Sequence, residues 1–161
     1  MKYKTAVKKS MEMLAQDPLT TFIGYNLSFG SRAYGSLTDI HKSKILETPV
    51  AESLMAGLSI GMSLEGYKPV LIFERHDFML NALDSLVNHL DKIESLSDGE
   101  IVPRVIVRGI VGSKKPLDPG PQHIQDFSKF FKDFLHFPVY DPQTAEEVID
   151  WLKKLFHNLD Y

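Results

Sequence analysis

Apolar residues recur along this chain in two alternating rhythms. Tyr3, Val7, Met11 and Leu14 fall three or four apart, which predicts a helix over 3–16 that Asp17-Pro18 stops. A short strand, Thr20 to Gly24, follows. Thr48-Pro49 reads as a helix N-cap with proline in the first turn, opening a helix that runs to about Gly66. Lys68-Pro69 then leads into a buried-type strand, Val70 to Phe73. Met79, Leu83, Leu86, Val87, Leu90 and Ile93 make the stripe of another helix, and Arg104 to Gly109 is a strand rich in valine and isoleucine. Phe127, Phe130, Phe131 and Phe134 mark a short helix with an aromatic core face. Val139-Tyr140 reads as a last strand, and Val148, Ile149, Leu152, Leu155 and Leu159 as a closing helix. The segment Asn26 to His41 has no sustained period and is predicted to be a long loop lying over a surface.

Helices and strands that alternate imply an α/β fold: a mostly parallel sheet with helices on both faces and binding groups beyond the strand ends. The 161 residues, 43% of them hydrophobic, suit one domain spanning 1–161. Basic and acidic residues are interspersed for a formal charge of −3, which offers no footprint for a nucleic-acid backbone or an anionic membrane. The start, MKYKTAVKK, lacks the apolar run of a secretion signal, and no stretch approaches the roughly 20 apolar residues of a membrane span, so a cytoplasmic protein is expected. The absence of cysteine excludes disulfides, iron–sulfur ligation and thiolate catalysis. The six histidines are never three or four apart, so no helical metal pair is expected.

Two features carry chemistry. In Leu46-Glu47-Thr48-Pro49-Val50-Ala51-Glu52, a carboxylate stands near the start of a helix that continues as SLMAGLSIG, so Glu52 is expected to be buried. With Thr48 as cap, a capping box needs its acid at Ala51; Glu52 comes one residue later. The helix dipole favours an acid there in any case, so position alone leaves a structural and a functional role open. Gly57-Leu58-Ser59-Ile60-Gly61 gives the same helix a face of small residues on which another helix can approach closely.

These residues belong to a longer pattern. The run ETPVAESLMAGLSIGMSLEGYKPVLIFERHDFMLNALDSLVNHLDKI, followed by PRVIVRG and GPQHIQDF, resembles the pyrimidine-binding domain of thiamin diphosphate-dependent enzymes. It is similar to the beta subunits of 2-oxo acid dehydrogenases and, more distantly, to transketolases. Three ordered motifs carry the resemblance: the TPxxE helix start, FxxALDxxxN from Phe78 to Asn88, and the VRG…QH pair.

The resemblance implies that Glu52 hydrogen-bonds a ring nitrogen of the cofactor's aminopyrimidine and promotes removal of the thiazolium proton, and that His123 faces the reacting intermediate. It places an aromatic clamp on the pyrimidine in the loop Phe73-Glu74-Arg75-His76-Asp77-Phe78, where either His76 or Phe78 stacks on the ring. It also implies a second polypeptide. The Gly-Asp-Gly motif and downstream asparagine that hold Mg²⁺ on the diphosphate are missing here, Ser97-Asp98-Gly99 being an incomplete version, and no carboxyl-terminal domain is expected in the chain. The expected partner is an alpha-like subunit that carries the diphosphate-binding domain and the Mg²⁺ ligands. The hetero-oligomer would act on a 2-oxo acid or a sugar and transfer an acyl or two-carbon unit. A non-catalytic regulatory or scaffolding homologue is the alternative. One departure is local: the family's Gly-Glu pair after the first strand is Gly24-Tyr25-Asn26 here.

Overall fold

The computed structural model describes residues 1–158. Four strands, β1 (Thr20–Gly24), β2 (Ile45–Glu47), β3 (Lys68–Phe73) and β4 (Ile106–Gly109), form one all-parallel sheet in the order β2-β1-β3-β4. The fold is the expected α/β arrangement, with six α-helices among the described residues: α1 (Tyr3–Leu14), α2 (Glu52–Leu64), α3 (His76–Met79), α4 (Ile93–Leu96), α5 (Ser128–Phe134) and α6 (Ala145–Asn158). A 3₁₀ turn, Leu80–Ala82, and a π-helical stretch, Ser85–Leu90, continue the chain after α3.

Successive strand residues point to opposite faces, and β3 shows what each face meets. Val70 and Ile72 join Phe22, Ile106, Met11 and Leu14 of α1 and Leu152 of α6 in one cluster. Leu71 and Phe73 join Met55, Ala56 and Ile60 of α2 and Met79, Ala82, Leu86 and Phe131 in the other. Every residue of β3 is therefore buried, as a strand covered on both faces must be. Lys68 is accommodated because its Nζ lies 2.6 Å from Asp17 Oδ2. Helices α1 and α6 pack together through Ala6, Ala145 and Val148.

Several expectations are corrected. The chain from Ile45 to Glu47, predicted as neither strand nor helix, pairs with β1, and Thr48 N–H extends that ladder by donating to Gly24 O at 2.9 Å. Thr48 is consequently no N-cap. A residue before proline is pushed toward extended geometry, and the helix waits until Ala51 caps it and Glu52 begins it. The loop 26–41 does more than lie over a surface: Leu27, Ala33 and Leu37 are fully buried and Ile40 nearly so, completing the α1 face of the core. Its turn passes through Arg32, Ala33 and Tyr34 at φ 48°, 49° and 57°, a left-handed path that no periodicity reveals.

Val139-Tyr140 does not pair with any strand. That segment lies between Pro138 and Pro142 and is held by side chains, with Tyr3 Oη donating to Pro142 O at 3.1 Å. In the aromatic face of α5, Phe131 is core, whereas Phe134 is 52% exposed and stacks on Phe130 at 5.0 Å. The closing helix matches its prediction through Leu155; Leu159 lies outside the described residues.

Asp91 ties the end of the π-helical stretch to the segment after α5. Its fully buried carboxylate accepts from His136 N–H at 2.6 Å, Phe137 N–H at 3.3 Å and Lys92 Nζ at 2.7 Å. His136 Nδ1 lies 2.7 Å from Asp91 Oδ2. Burial alone would raise this carboxyl, but the hydrogen bonds from Lys92, His136 and Phe137 outweigh it and hold the group down at about 2. A lowered carboxyl stabilises the fold above its unfolded value and loses that contribution as pH falls through the folded one. Asp91→Asn is expected to cost about 2 kcal/mol near pH 7. Urea titrations at stepped pH should show its deficit against the unmodified chain vanishing between about pH 4 and pH 2.

Candidate active site

Because all four strands run parallel, everything that follows a strand emerges along one edge of the sheet. Tyr25 and Asn26 follow β1, Thr48 to Glu52 follow β2, Glu74 to Phe78 follow β3, and the segment leading to His123 follows β4.

Glu52 is the first residue of α2 and only 7% exposed. Tyr25, equally buried, donates from Oη to Glu52 Oε1 at 3.4 Å. The turn after β1 aims the phenol. A Cβ on Gly24 would come within 2.7 Å of Ile72 O, so only glycine lets the chain bend there against β3. Asn26 takes a left-handed φ of 57°, and its Nδ2 donates to Glu74 Oε2 at 3.3 Å. Burial first, then the Glu52 and Glu74 carboxylates, push the Tyr25 phenol far above its ordinary range. No hydrogen bond among the described residues reaches Glu52 Oε2.

His76 is turned into the protein. Its backbone N–H donates to Ile110 O at 3.0 Å, its ring meets Phe131 edge-on at 6.0 Å, and Nδ1 accepts from Phe127 N–H at 3.2 Å. A nitrogen that accepts carries no proton, so the ring is neutral with its hydrogen on Nε2. Burial lowers the His76 pKa, and Asp126, Asp141 and Asp77 offset that only in part. Phe78 is half-buried on α3 and meets His123 edge-on, ring centroids 5.3 Å apart. His123 ends a 3₁₀ turn, Pro121–His123, that packs on α3. Gly112 makes this passage possible, because a Cβ there would overlap the His123 carbonyl. The structure thus brings Phe78 and His123 into contact, gives His76 separate partners, and sets Glu52 against Tyr25.

Tyr25, Glu47 and Glu74 are the site-edge residues that sequence reasoning missed. Glu47 Oε2 accepts from Leu27 N–H at 3.0 Å, Ser28 N–H at 2.7 Å and Ser28 Oγ at 2.8 Å, closing the start of the long loop over β2. Glu74 Oε1 accepts from Ser31 Oγ at 2.5 Å, and Arg75 lies over the Tyr34 ring at 4.7 Å. A glutamate ending β2 and another directly after β3 were the available signal. Buried side-chain polar atoms without a partner gather at the same edge, among them Glu47 Oε1, Thr48 Oγ1, Arg75 Nε, Asp77 Oδ2 and His123 Nδ1. Folded proteins satisfy most such atoms, so their concentration marks a surface built to meet another group.

The fold and this edge define an α/β domain of the parallel-sheet class whose polar groups converge beyond the strand ends. The particular relationship comes from comparison with curated proteins. The chain is 30% identical over 158 residues to the mitochondrial pyruvate dehydrogenase E1 component subunit beta of Saccharomyces cerevisiae, covering 95% of this chain and 43% of that one. It is 26% identical over 153 residues to the mitochondrial subunit beta-1 of Oryza sativa, covering 92% of this chain and 40% of that one. To the subunit beta of Rickettsia conorii it is 26% identical over 149 residues, 89% of this chain and 45% of that one. No protein-family model matches the chain. Its homologues are pyruvate dehydrogenase E1 beta subunits, and the resemblance to 2-oxo acid dehydrogenase beta subunits read from the motifs holds over nearly the whole chain. The chain spans less than half the length of these relatives.

The neutral, lowered state of His76 has a measurable sign. A histidine whose pKa falls on folding stabilises the protein above its unfolded value and loses that contribution as pH drops. Thermal unfolding across about pH 7 to 5, on either side of the ordinary histidine value, should show the unmodified chain losing stability faster than His76→Asn, whose amide oxygen accepts from Phe127 N–H without titrating.

Proposed function

We propose that this chain is the pyrimidine-binding domain of a thiamin diphosphate-dependent 2-oxo acid dehydrogenase or decarboxylase, a beta-like subunit that works with an alpha-like partner. One observation carries the reading. Glu52 is buried at the head of α2, one oxygen held by Tyr25 and the other free of hydrogen bonds among the described residues, in a chain 30% identical to a pyruvate dehydrogenase E1 beta subunit.

The residues suit the cofactor. A buried carboxyl with one oxygen to offer can bind a ring nitrogen and hold or give up a proton there. Phe78 offers a flat apolar surface at the same sheet edge, with His76 the other candidate on that loop. His123, its Nδ1 buried without a partner, has a nitrogen to give to acid–base work on the substrate. When bound, thiamin diphosphate supplies a nucleophilic carbon and an electron sink, and the chain supplies placement and proton traffic. Mg²⁺ and the diphosphate are assigned to the partner, since Ser97-Asp98-Gly99 lacks the full metal motif. The substrate is a 2-oxo acid whose acyl unit is passed on. The proposed compartment is the cytoplasm; no helix among the described residues is long and apolar enough to cross a membrane.

The outer face of α2 supports the partner requirement. A Cβ at Gly57 or Gly61 would meet nothing within 4 Å, and Leu54 and Leu64 beside them are 54% and 49% exposed. An apolar face with two glycines lets a second helix approach closely. Gly57→Leu is expected to impair assembly while leaving the chain folded, as sizing beside circular dichroism would show.

Two further outcomes are expected. Calorimetry should find weak or no binding of thiamin diphosphate to the purified chain and Mg²⁺-dependent binding once an alpha-like partner is present; tight binding to the chain alone would overturn the two-polypeptide reading. In the assembled complex, Glu52→Gln should slow hydrogen–deuterium exchange at the thiazolium carbon at least about a hundredfold, the lower end of what a positioned proton-transfer group contributes.

A further inference from the structure

Tyr25 and Glu52 come from different connections, one after β1 and one after β2, and meet because those strands are neighbours. Both residues are 7% exposed, and Tyr25 packs in the apolar cluster of Met55, Ala56 and Phe73. A buried phenol needs an acceptor, and the one it has is Glu52 Oε1 at 3.4 Å. Around the pair, the carboxylate of Glu74 is taken up by Asn26 and Ser31, and that of Glu47 by Leu27 and Ser28. Each of these three glutamates thus has its own donors, and the phenol is the one assigned to Glu52.

We propose that Tyr25 is a positioning residue for Glu52: its hydroxyl pins Oε1 and thereby presents Oε2 as the oxygen that handles a proton. The proposal rests on the functional reading of Glu52 given above. The carboxyl has two equivalent oxygens and a freely turning terminal torsion, so without a donor on one side either oxygen can face the site. The phenol remains protonated through the neutral range, because burial and two nearby carboxylates oppose its ionisation. It donates and does not exchange roles with Glu52. Gly24 and the left-handed Asn26 shape the turn on either side of Tyr25, and Glu52 is the first residue of α2, so the contact joins the turn after β1 to the head of that helix.

The hydroxyl is removed by Tyr25→Phe, which keeps the ring and its packing. The first measurement uses the cofactor-free chain labelled with ¹³C-glutamate, the Glu52 carboxyl resonance being assigned by its loss in Glu52→Gln. A carboxylate oxygen that accepts a hydrogen bond is shielded differently from one that does not, so removal of the donor is expected to move that resonance at constant pH. An unmoved resonance overturns the proposal. The second measurement is thiazolium hydrogen–deuterium exchange in the complex with the partner. Tyr25→Phe is expected to slow it about three- to tenfold, well short of the Glu52→Gln loss. Exchange at the unmodified rate in Tyr25→Phe, with Glu52→Gln impaired, overturns the role of Tyr25 and leaves that of Glu52 standing. Unmodified rates in both variants overturn the reading of Glu52 and, with it, the proposal.

Discussion

The structure depends on the burial of β3 from both sides. A strand that must present apolar residues to two layers can sit only inside a sheet, between neighbours whose crossovers lay helices on both faces. Here β1 and β4 are the neighbours, α1, α6 and the long loop cover one face, and α2 with the helical run from His76 to Leu90 covers the other. Parallel strands also end alike. The same constraint that hides β3 therefore delivers Tyr25, Glu52, His76 and Phe78 to a single edge.

That edge is polar at a cost the fold has to offset. Carboxylates taken from water must be hydrogen-bonded, and all three glutamates here recruit donors from the connection after β1: Glu52 from Tyr25, Glu47 from Leu27 and Ser28, and Glu74 from Asn26 and Ser31. The long loop is ordered from both directions as a result. Its apolar residues enter the core beside α1, and its hydroxyls and backbone amides close on the acids at the rim. Arg108 adds a third tie, donating from β4 to Ser36 Oγ at 2.7 Å, with burial lowering its guanidinium to about 10.

Each period in the sequence was reliable where a single element faced a single core. The spacing of Met11 and Leu14, the apolar runs of β1, β3 and β4, and the stripe Val148, Leu152, Leu155 sufficed for the α/β class and for most element positions. The motifs from Glu52 to His123 sufficed for the family resemblance, because their order along the chain is itself the information. The burial of Glu52 near the start of an apolar helix was legible too, since almost nothing polar follows it for a full turn and a half.

What only the tertiary structure decided are the contacts between residues distant in sequence. Three residues of β2 are too few to show a period, and they are a strand because β1 lies beside them. Thr48 looked like a cap until pairing with Gly24 claimed its N–H. Val139-Tyr140 has the right composition for a strand and is none, because Asp91 and Tyr3 hold the flanking chain by side chains instead. What His76 and Phe78 touch was not legible in the sequence. The fold gave His76 to Phe127 and set Phe78 against His123, through contacts that span 45 residues or more. The sequence by itself determined the periodic elements that face one core and the ordered motifs that carry the family resemblance. Which of those residues meet was set by strand order, since neighbours in a parallel sheet are chosen by crossovers and not by proximity along the chain.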